Sequence, residues 1–317
     1  MSGEFELIAR HFTRPTRRAA LGVGDDCALL RQTPGLELAV SSDMLVEGRH
    51  FLSTVAPERL GHKALAVNLS DLAACGAEPL AFTLALALPR VDEVFLEGFA
   101  RGLFALADEH AIELVGGDTT AGPLNICITV FGQVPLGQAL LRSGARPGDD
   151  LWVSGKLGDA RLALEVFRGV LALGAEDFEA VRRAMELPQP QVALGLALRG
   201  LATAAIDLSD GLLGDLGHLL QRSGVGATVD VDALPRSPVL AAQDKALQHQ
   251  CLLAGGDDYA LLFTAPAARR AAVTAAGQAA GVAVTRCGHI ERGAGLRVVD
   301  GLGLRLATPW RGFDHFA

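Results

Sequence analysis

The fold of the first half of the chain is decided by residues 80–118, whose sequence is LAFTLALALPRVDEVFLEGFARGLFALADEHAIELVGGD. Two apolar runs of strand length, Leu80–Leu88 and Ile112–Val115, enclose a longer segment, Asp92–His110, that predicts a helix. Because the longer apolar run is about half of what a membrane helix needs, we expect buried strands here rather than membrane spans.

The elements on both sides extend this pattern. A helix is predicted for Pro57–Cys75, since proline suits the first turn, apolar residues line one face and Gly76 ends it. The resulting order, β-β-α-β-α-β-β, defines one α/β unit. The other predicted elements of this half are a short amphipathic helix over Phe5–Phe12 and strands over Cys27–Gln32, Leu36–Ser42 and Asn125–Val134.

A domain boundary is predicted near residues 136–148, where glycines and a proline cluster. The second half again mixes strands with helices, and a length of 317 residues fits about two domains. We therefore expect two mixed α/β or α+β domains, over residues 1–137 and 138–317. Elements predicted in the second domain include the helix Leu212–Arg222 and the strands Leu151–Ser154, Ala205–Leu208, Ala227–Val231 and Tyr259–Thr264.

The chain is acidic, with 28 Lys and Arg against 36 Asp and Glu and a net charge of −8, and it contains 37 glycines. This charge balance argues against a general nucleic-acid binder, which usually carries a basic face. It does not exclude phosphate substrates, since a bound metal cation reverses the local sign of the charge. A hydrophobic content of 50% also excludes a disordered chain.

The cysteines and the first residues bear on the compartment. The five cysteines are far apart in the sequence and form no C-x-x-C pair, which is typical of reduced thiols in the cytoplasm. Residues Met1–Phe12 contain Glu4 and Glu6 and lack the apolar core of a signal peptide. We therefore expect a cytoplasmic protein that has no membrane segment.

Glycines and aspartates recur together where strands are predicted to end, and Asp71 lies on a helix face that it shares with Asn68. Glycine lets a phosphate approach the backbone closely, and Mg²⁺ prefers carboxylates, water and phosphate oxygens as ligands. Several carboxylates in one cleft would repel one another without cations. The pattern therefore predicts Mg²⁺ together with a polyphosphate. The segments are Gly22–Asp26, Ser41–Asp43, Gly116–Asp118, Asp207–Gly211 and Gly255–Asp258.

Two further patterns have simpler interpretations. Gly148–Asp150 is typical of a turn that leads into a strand, and the basic stretch Arg10–Arg18 fits either an anion grip or, more simply, a solvated loop. The sequence contains none of the motifs G-x-x-x-x-G-K-[ST], G-x-G-x-x-G, G-x-S-x-G and H-E-x-x-H. A nucleotide, if bound, is therefore held by something other than the common loops.

Longer segments carry a specific resemblance. In order from Gly3 to Ala317 the sequence contains GEFELIARHF, GVGDDCALL, SSDMLVEGRHF, KALAVNLSDLAACGAEP, ELVGGDTT, LLRSGARPGD, AIDLSDGLLGDLGH, AGGDDYALLFT and WRGFDHFA. Together these segments resemble the thiamine-monophosphate kinase family, within the superfamily of aminoimidazole-ribotide synthetase and selenophosphate synthetase. The resemblance covers essentially the whole chain.

The resemblance implies direct transfer of the γ-phosphoryl group of ATP to thiamine monophosphate, the last step of thiamine diphosphate biosynthesis, with Mg²⁺ held by aspartates. It implies an N-terminal domain (1–137) that binds ATP and Mg²⁺ and joins a partner's strands in a homodimer, followed by a C-terminal α+β domain (138–317). The implied metal-binding residues are Asp26, Ser42, Asp43, Asp71, Asp118, Asp207 and Asp210. The implied nucleotide contacts are Gly117, Asp118, Ser209 and Arg142, the last as a phosphate clamp, and the implied substrate contacts are His50, Asp257 and Phe313.

Some alternatives stay open on the sequence. Asp257 stands where family members often carry the longer Glu, so that its contact with substrate is either direct or bridged by water. Asp207-x-x-Asp210-Gly211 also resembles the metal motif of Mg²⁺-dependent inositol-phosphatase-like enzymes. A metal- and nucleotide-binding scaffold without turnover is the non-enzymatic alternative.

Overall fold

The computed structural model describes residues 4–307, 309, 310 and 312. The chain forms two compact units, one of residues 1–72 and 77–137 and the other of residues 73–76 and 138–317. Each unit combines helices with a sheet, which confirms the mixed α/β and α+β class. In the described part of the chain no helix is long and apolar enough to cross a membrane, and all five cysteines are free thiols.

Between residues 4 and 137 the structure describes three α-helices and six strands. The helices are α1 (Glu4–Leu7, continued by a π-helical turn, Ile8–Phe12), α2 (Pro57–Ala74) and α3 (Glu93–Glu109). The strands are β1 (Ala19–Leu21), β2 (Leu29–Leu30), β3 (Leu36–Val46), β4 (Glu78–Leu88), β5 (Glu113–Ala121) and β6 (Asn125–Pro135).

The described part of the second half contains seven α-helices and six strands. The helices are α4 (Asp159–Phe167), α5 (Ala175–Glu186), α6 (Val192–Ala197), α7 (Leu212–Ser223), α8 (Pro238–Ala241), α9 (Lys245–Ala254) and α10 (Arg270–Ala279). The strands are β7 (Asp149–Ser154), β8 (Ala204–Asp207), β9 (Gly226–Asp230), β10 (Leu261–Pro266), β11 (Val284–Glu291) and β12 (Gly295–Val299). The four strands and the helix predicted for this half are confirmed.

The main sheet of the first unit has the strand order β3-β6-β4-β5. Strand β6 is antiparallel to β3 and β4, whereas β4 is parallel to β5. Strands β3, β4 and β5 therefore run in the same direction, and their carboxyl ends lie at the same edge of the sheet. In open α/β sheets the carboxyl ends of the strands are where ligands commonly bind.

Helices α2 and α3 approach each other at backbone distance. A Cβ atom on Gly61 would lie 2.0 Å from the carbonyl oxygen of Phe99, and one on Gly102 would lie 1.8 Å from that of Glu58. Only glycine permits this approach, so part of the glycine excess serves helix packing rather than phosphate binding.

Strands β3 and β5 are longer than predicted, because β3 continues to Val46 and β5 to Ala121. Asp43 and Asp118 therefore lie inside strands, and the prediction that they follow strand ends was wrong. In β5 the physical reason is an irregularity in the pairing with β4, where the register shifts next to Gly116. A glycine inside a strand commonly marks such a bulge and does not end the strand.

The basic stretch near the N-terminus is tied to acidic side chains of its own unit. Arg10 Nη1 and His11 Nε2 each lie 2.8 Å from a carboxylate oxygen of Glu93, and Arg18 Nη2 lies 2.8 Å from Glu78. The hydrogen bond from His11 is the largest cause of a lowered pKa of Glu93. The side chains of Arg10 and Arg14 are still 54% and 46% exposed, so this stretch is a solvated surface segment, as the simpler interpretation predicted, and its cations pair with carboxylates of their own unit.

The sheet of the second unit has the strand order β12-β9-β11-β7-β10-β8, and only the pair β12/β9 is parallel. Side chains from β7, β8 and α7 pack in one hydrophobic core, among them Leu151, Val153, Ile206 and Leu216. Strand β8 is therefore anchored in the core up to the residue before Asp207.

Asp150 at the start of β7 has a structural role. Its carboxylate is 4% exposed as a side chain and accepts hydrogen bonds from Arg270 Nε at 2.6 Å and Nη2 at 2.7 Å, with Arg286 Nη1 at 3.5 Å. The bonds from Arg270 are the largest cause of a lowered pKa of Asp150. This agrees with the structural interpretation of Gly148–Asp150.

We expect Asp150→Asn to lower the free energy of unfolding by about 1–3 kcal/mol at pH 7, because a charge-assisted bidentate pair is lost. Since the folded-state pKa of Asp150 lies below its ordinary value of 3.8, its contribution is present above that value. It is lost as pH falls through the folded pKa. The difference in urea unfolding between the two proteins should therefore shrink below about pH 4. The exposed Asp177→Asn is the control, and an equal effect of both variants at pH 7 would contradict the assignment.

Candidate active site

Two acidic segments of the first unit lie on neighbouring rows of its sheet. Asp43 in β3 is paired with Ile128 in β6, Ile128 with Leu84 in β4, and Leu84 with Gly117 in β5. Asp118 is the next residue along β5 and is exposed; it pairs with Ala85 on the next row, whose side chains point to the face opposite to Asp43. The register therefore aligns the two acidic segments that the sequence marked in β3 and β5.

Strand β3 and helix α2 are joined at the acidic segment by two hydrogen bonds. The Ser41 hydroxyl donates to Asp71 Oδ2 at 2.5 Å, and the Asp43 backbone N–H donates to Asn68 Oδ1 at 3.0 Å. Ser41 and Asp43 share one face of the strand, while Asn68 and Asp71 lie one turn apart on the helix. The carboxylates of Asp43 and Asp71 thus belong to one local arrangement.

Ser42 points to the opposite face of β3. Its hydroxyl lies 3.0 Å from Thr129 Oγ1 and donates to the Ile128 carbonyl at 3.1 Å. Since side chains alternate along a strand, the Ser42 side chain is turned away from Asp43, and Ser41 is the hydroxyl next to Asp71. The metal-binding role of Ser42 stays a prediction, and its side chain lies on the face of the sheet opposite to Asp43.

The Gly22–Asp26 segment is an exposed loop of the first unit. The backbone N–H of Asp26 donates a hydrogen bond to Asp25 Oδ1 at 2.9 Å. Gly24 has a φ of +122°, a conformation that favours glycine. Both carboxylates are accessible there, and the metal role of Asp26 stays a prediction.

His50 lies in the turn that follows β3. Its Nδ1 accepts the backbone N–H of Val46 at 3.0 Å. With Nδ1 as the acceptor, the hydrogen-bond pattern assigns the ring proton of neutral imidazole to Nε2. In this tautomer the hydrogen-bond donor of the ring is Nε2–H.

A cavity of about 360 Å³ opens beside this turn, within the first unit. Its lining combines the apolar side chains of Phe51, Leu60 and Phe95 with the carboxylates of Glu47 and Asp92. The volume falls in the range of small-molecule sites. Sequence reasoning missed this cavity, because its lining comes from several separate segments.

In the second unit, the acidic segment after β8 is held by a side chain of α7. Asp207 is 5% exposed at the end of the strand, and Ser209 and Asp210 follow it. Asp215 in the first turn of α7 accepts the backbone N–H groups of Asp210 and Gly211, each at 3.1 Å. Burial, and secondly the charge of Asp210, raise the pKa of Asp215 to about 7.

The Gly255–Asp258 loop packs directly on this segment. The Asp257 N–H donates to the Ser209 carbonyl at 2.9 Å, and the Tyr259 hydroxyl donates to Asp257 Oδ1 at 3.1 Å. Asp257 and Tyr259 have φ values of +66° and +47°, which cost free energy in residues other than glycine. Strained backbone of this kind is concentrated at functional sites, which supports a role for Asp257.

The neighbouring Asp258 serves the structure of the same loop. Its Oδ1 accepts the backbone N–H of Gly158 at 2.8 Å, and burial raises its pKa well above the ordinary value. The two adjacent aspartates of the loop are thus distinct, with Asp258 turned into the protein.

Arg142 and Phe313 are the two remaining predicted contacts. Arg142 is exposed, and its backbone carbonyl accepts the hydroxyl of Ser223 at 2.9 Å. Phe313 lies outside the described residues. The phosphate clamp and the aromatic substrate contact therefore stay predictions.

The donors of the first unit fit Mg²⁺ bound together with phosphate. Within the described ranges, no three Asp, Glu, His or Cys side chains are grouped closely enough to hold a metal ion alone. Mg²⁺ usually takes only one or two protein carboxylates and completes its shell with water and phosphate oxygens. The oxygen-only carboxylates of Asp43 and Asp71 suit that ion, whereas a site for a softer metal would need sulfur or imidazole.

Both halves of the chain match the two domains of one protein family. Residues 24–134 match the N-terminal domain of the AIR synthase related proteins, and residues 146–301 match the C-terminal domain of that family.

Individual proteins of known name and structure are also similar to this chain. The chain is 47% identical to the thiamine-monophosphate kinase of Salmonella typhimurium over 99% of this chain and 98% of that protein. The crystal structure of thiamine-monophosphate kinase from Stenotrophomonas maltophilia K279a, at 45% identity, has a TM-score of 0.86 over 95% of this chain and 96% of its own. AaThiL complexed with AMPPCP and TMP, at 30% identity, has a TM-score of 0.78 over 90% and 89%. The chain belongs to the thiamine-monophosphate kinase family, as its sequence motifs predicted.

Proposed function

We propose that this protein transfers the γ-phosphoryl group of ATP directly to the phosphate of thiamine monophosphate, with Mg²⁺ as the metal. The observation that carries the proposal is the joined β3–α2 arrangement of Asp43 and Asp71, in a chain 47% identical over nearly its full length to a thiamine-monophosphate kinase. The related AaThiL complexed with AMPPCP and TMP supports the same pair of substrates.

The metal roles are assigned unit by unit. In the first unit Asp26, Asp43, Asp71 and Asp118 would hold Mg²⁺, with the backbone carbonyl of Ser42, and in the second unit Asp207 and Asp210 would do so. Bound Mg²⁺ neutralises phosphate oxygens and the charge that develops during transfer. The Ser41 hydroxyl fixes one oxygen of Asp71, so that this carboxylate is oriented before a metal binds.

The remaining residues bind and orient the substrates. We assign Gly117, Asp118 and Ser209 to nucleotide contacts, Arg142 to a phosphate clamp, and His50, Asp257 and Phe313 to thiamine monophosphate. The Nε2–H of His50 would donate to the substrate, because Val46 occupies Nδ1. No general base is required, since the accepting phosphate is largely ionised near neutral pH and phosphoryl transfer depends mainly on positioning and electrostatic stabilisation.

The experiment that tests this function is incubation of the protein with Mg-ATP and thiamine monophosphate, followed by chromatography of the products. Thiamine diphosphate and ADP are expected in equal amounts. Thiamine and an aminoimidazole ribonucleotide precursor serve as control substrates. Release of phosphate from thiamine monophosphate without ATP would instead support a phosphatase, and ATP binding without any product would support a scaffold.

We propose further that the protein is a homodimer that associates through the outer face of β3. Leu38, Val40 and Met44 alternate along this strand and are each more than half exposed, at 51%, 55% and 52%. An exposed apolar row on the edge strand of a sheet is expected to be covered by a partner.

Val40→Glu is therefore expected to convert the dimer to a monomer, since a carboxylate would be buried in the proposed interface. Light scattering coupled to size exclusion measures the change. Val170→Glu, at a site in the second unit that is 66% exposed, is the control and should leave the mass unchanged. A Val40→Glu protein with the mass of the wild type would refute the β3 interface.

We also propose a cytoplasmic location, supported by the five free thiols, since reduced cysteines are typical of that compartment. Recovery of the protein in the periplasmic or extracellular fraction of its cell would contradict this.

A further inference from the structure

Asn68 is a buried polar side chain that accepts one hydrogen bond and donates another. It is 1% exposed in α2; its Oδ1 accepts the N–H of Asp43 at 3.0 Å, and its Nδ2 donates to the carbonyl of Ala64 at 3.0 Å. A backbone N–H can only donate and a carbonyl can only accept, so these partners fix the orientation of the amide. The side chain is thereby held in one position.

The hydrogen bond with Asn68 gives the backbone N–H of Asp43 an acceptor outside the sheet. Strand β3 lies at an edge of its sheet, and at Asp43 the backbone N–H is bonded to a side chain of the helix. A buried N–H without an acceptor is costly. Asn68 therefore fixes the backbone of β3 at the residue whose carboxylate is assigned to Mg²⁺.

Asparagine is well suited to make these two hydrogen bonds. An aspartate at position 68 would add a negative charge beside Asp43 and Asp71 and would lose the donor to Ala64. A leucine would fill a similar volume but would lose the acceptor for Asp43. Only a neutral amide of this length supplies both bonds without a further charge.

We propose that Asn68 is a positioning residue for the metal-binding carboxylates, acting through the backbone of Asp43. The inference rests on the proposed function, in which Asp43 binds Mg²⁺. Residues that orient metal ligands typically contribute ten- to a hundredfold in metal affinity. Asn68 differs from the proposed ligands because it contributes no charge and its Oδ1 is already occupied.

The test compares Asn68→Ala with Leu69→Ala. Leu69 is fully buried in the same helix, and its truncation creates a cavity that lowers stability. Binding of Mn²⁺, as a substitute for Mg²⁺, is titrated by electron paramagnetic resonance in the presence of a non-hydrolysable ATP analogue. Circular dichroism establishes that both variants are folded at the temperature used.

Asn68→Ala is expected to weaken Mn²⁺ binding about tenfold, whereas Leu69→Ala should change it less than twofold although its unfolding temperature falls. Wild-type Mn²⁺ affinity in Asn68→Ala would overturn the proposal. Equal weakening in the two variants would also overturn it, because the effect would then be one of general stability.

An Asp43→Asn background separates this proposal from the proposed function. If Asn68 acts through Asp43, Asn68→Ala should add little to the loss of Mn²⁺ affinity already caused by Asp43→Asn. A full additional tenfold loss would overturn the route through Asp43. If Asp43→Asn alone leaves Mn²⁺ affinity unchanged, the metal assignment of Asp43 fails, and the role of Asn68 fails with it.

Discussion

Asp118→Asn is expected to lower kcat by about a thousandfold, the size of effect seen when one group that stabilises the transition-state charge is removed. Asp118 is exposed in β5, on the strand whose Gly117 shares a row with Asp43. The amide has nearly the shape of the carboxylate but lacks its charge. Under the proposed function, the substitution weakens Mg²⁺ binding and leaves the repulsion between two phosphates unscreened.

The measurement is the initial rate of thiamine diphosphate formation as a function of Mg²⁺ concentration, together with the unfolding temperature. We expect the Mg²⁺ concentration for half-maximal rate to rise and the unfolding temperature to stay close to that of the wild type. Asp108→Asn is the matched control, since Asp108 lies in the same unit, is 72% exposed and is paired with Arg14 on the surface. A near-normal rate with unchanged Mg²⁺ dependence in Asp118→Asn would remove this residue from the site.

The sequence predicts the elements of this fold well because their signals are local. The apolar run of β4 and the predicted helix Pro57–Cys75 correspond to Glu78–Leu88 and Pro57–Ala74 in the structure. The sequence pattern predicts ends of β3 and β5 that are too early, because polar residues and glycine often follow the end of a strand. Pairing with β6 and β4 keeps both strands extended, and such pairing partners are distant in the sequence.

The candidate site is predictable in its carboxylates but not in the residues that support them. Asn68 and Asp43 are 25 residues apart, and no local pattern shows that an amide on a helix accepts a backbone N–H of a strand. The sequence does give a weak indication of the role of Asp215. It lies in the first turn of a predicted helix, where an acidic residue stabilises the free N–H groups. Likewise, the positive φ values of Asp257 and Tyr259 follow from the packing of their loop on Ser209 and could not be read from residue type.

Gly117→Ala is expected to destabilise the first unit by about 4 kcal/mol or more, which places it among the most damaging single substitutions. Gly117 has a φ of +148°, a region that L-residues rarely adopt. A Cβ atom there would lie 1.8 Å from the carbonyl oxygen of Leu84 and 2.8 Å from its nitrogen. Both obstacles are backbone atoms of the neighbouring strand β4, so that relief requires β4 and β5 to separate.

Gly116→Ala provides the control one residue away. The nearest atom to its Cβ would be Thr83 Cγ2 at 3.9 Å, an ordinary van der Waals distance, and its φ is not positive. Urea unfolding followed by circular dichroism should therefore show a large loss for Gly117→Ala and a small one for Gly116→Ala. The comparison also tests why position 117 is glycine. A stable Gly117→Ala protein with impaired ATP binding would mean that the glycine serves nucleotide approach, whereas an unstable one means that the contact between β5 and β4 already requires glycine before any nucleotide binds.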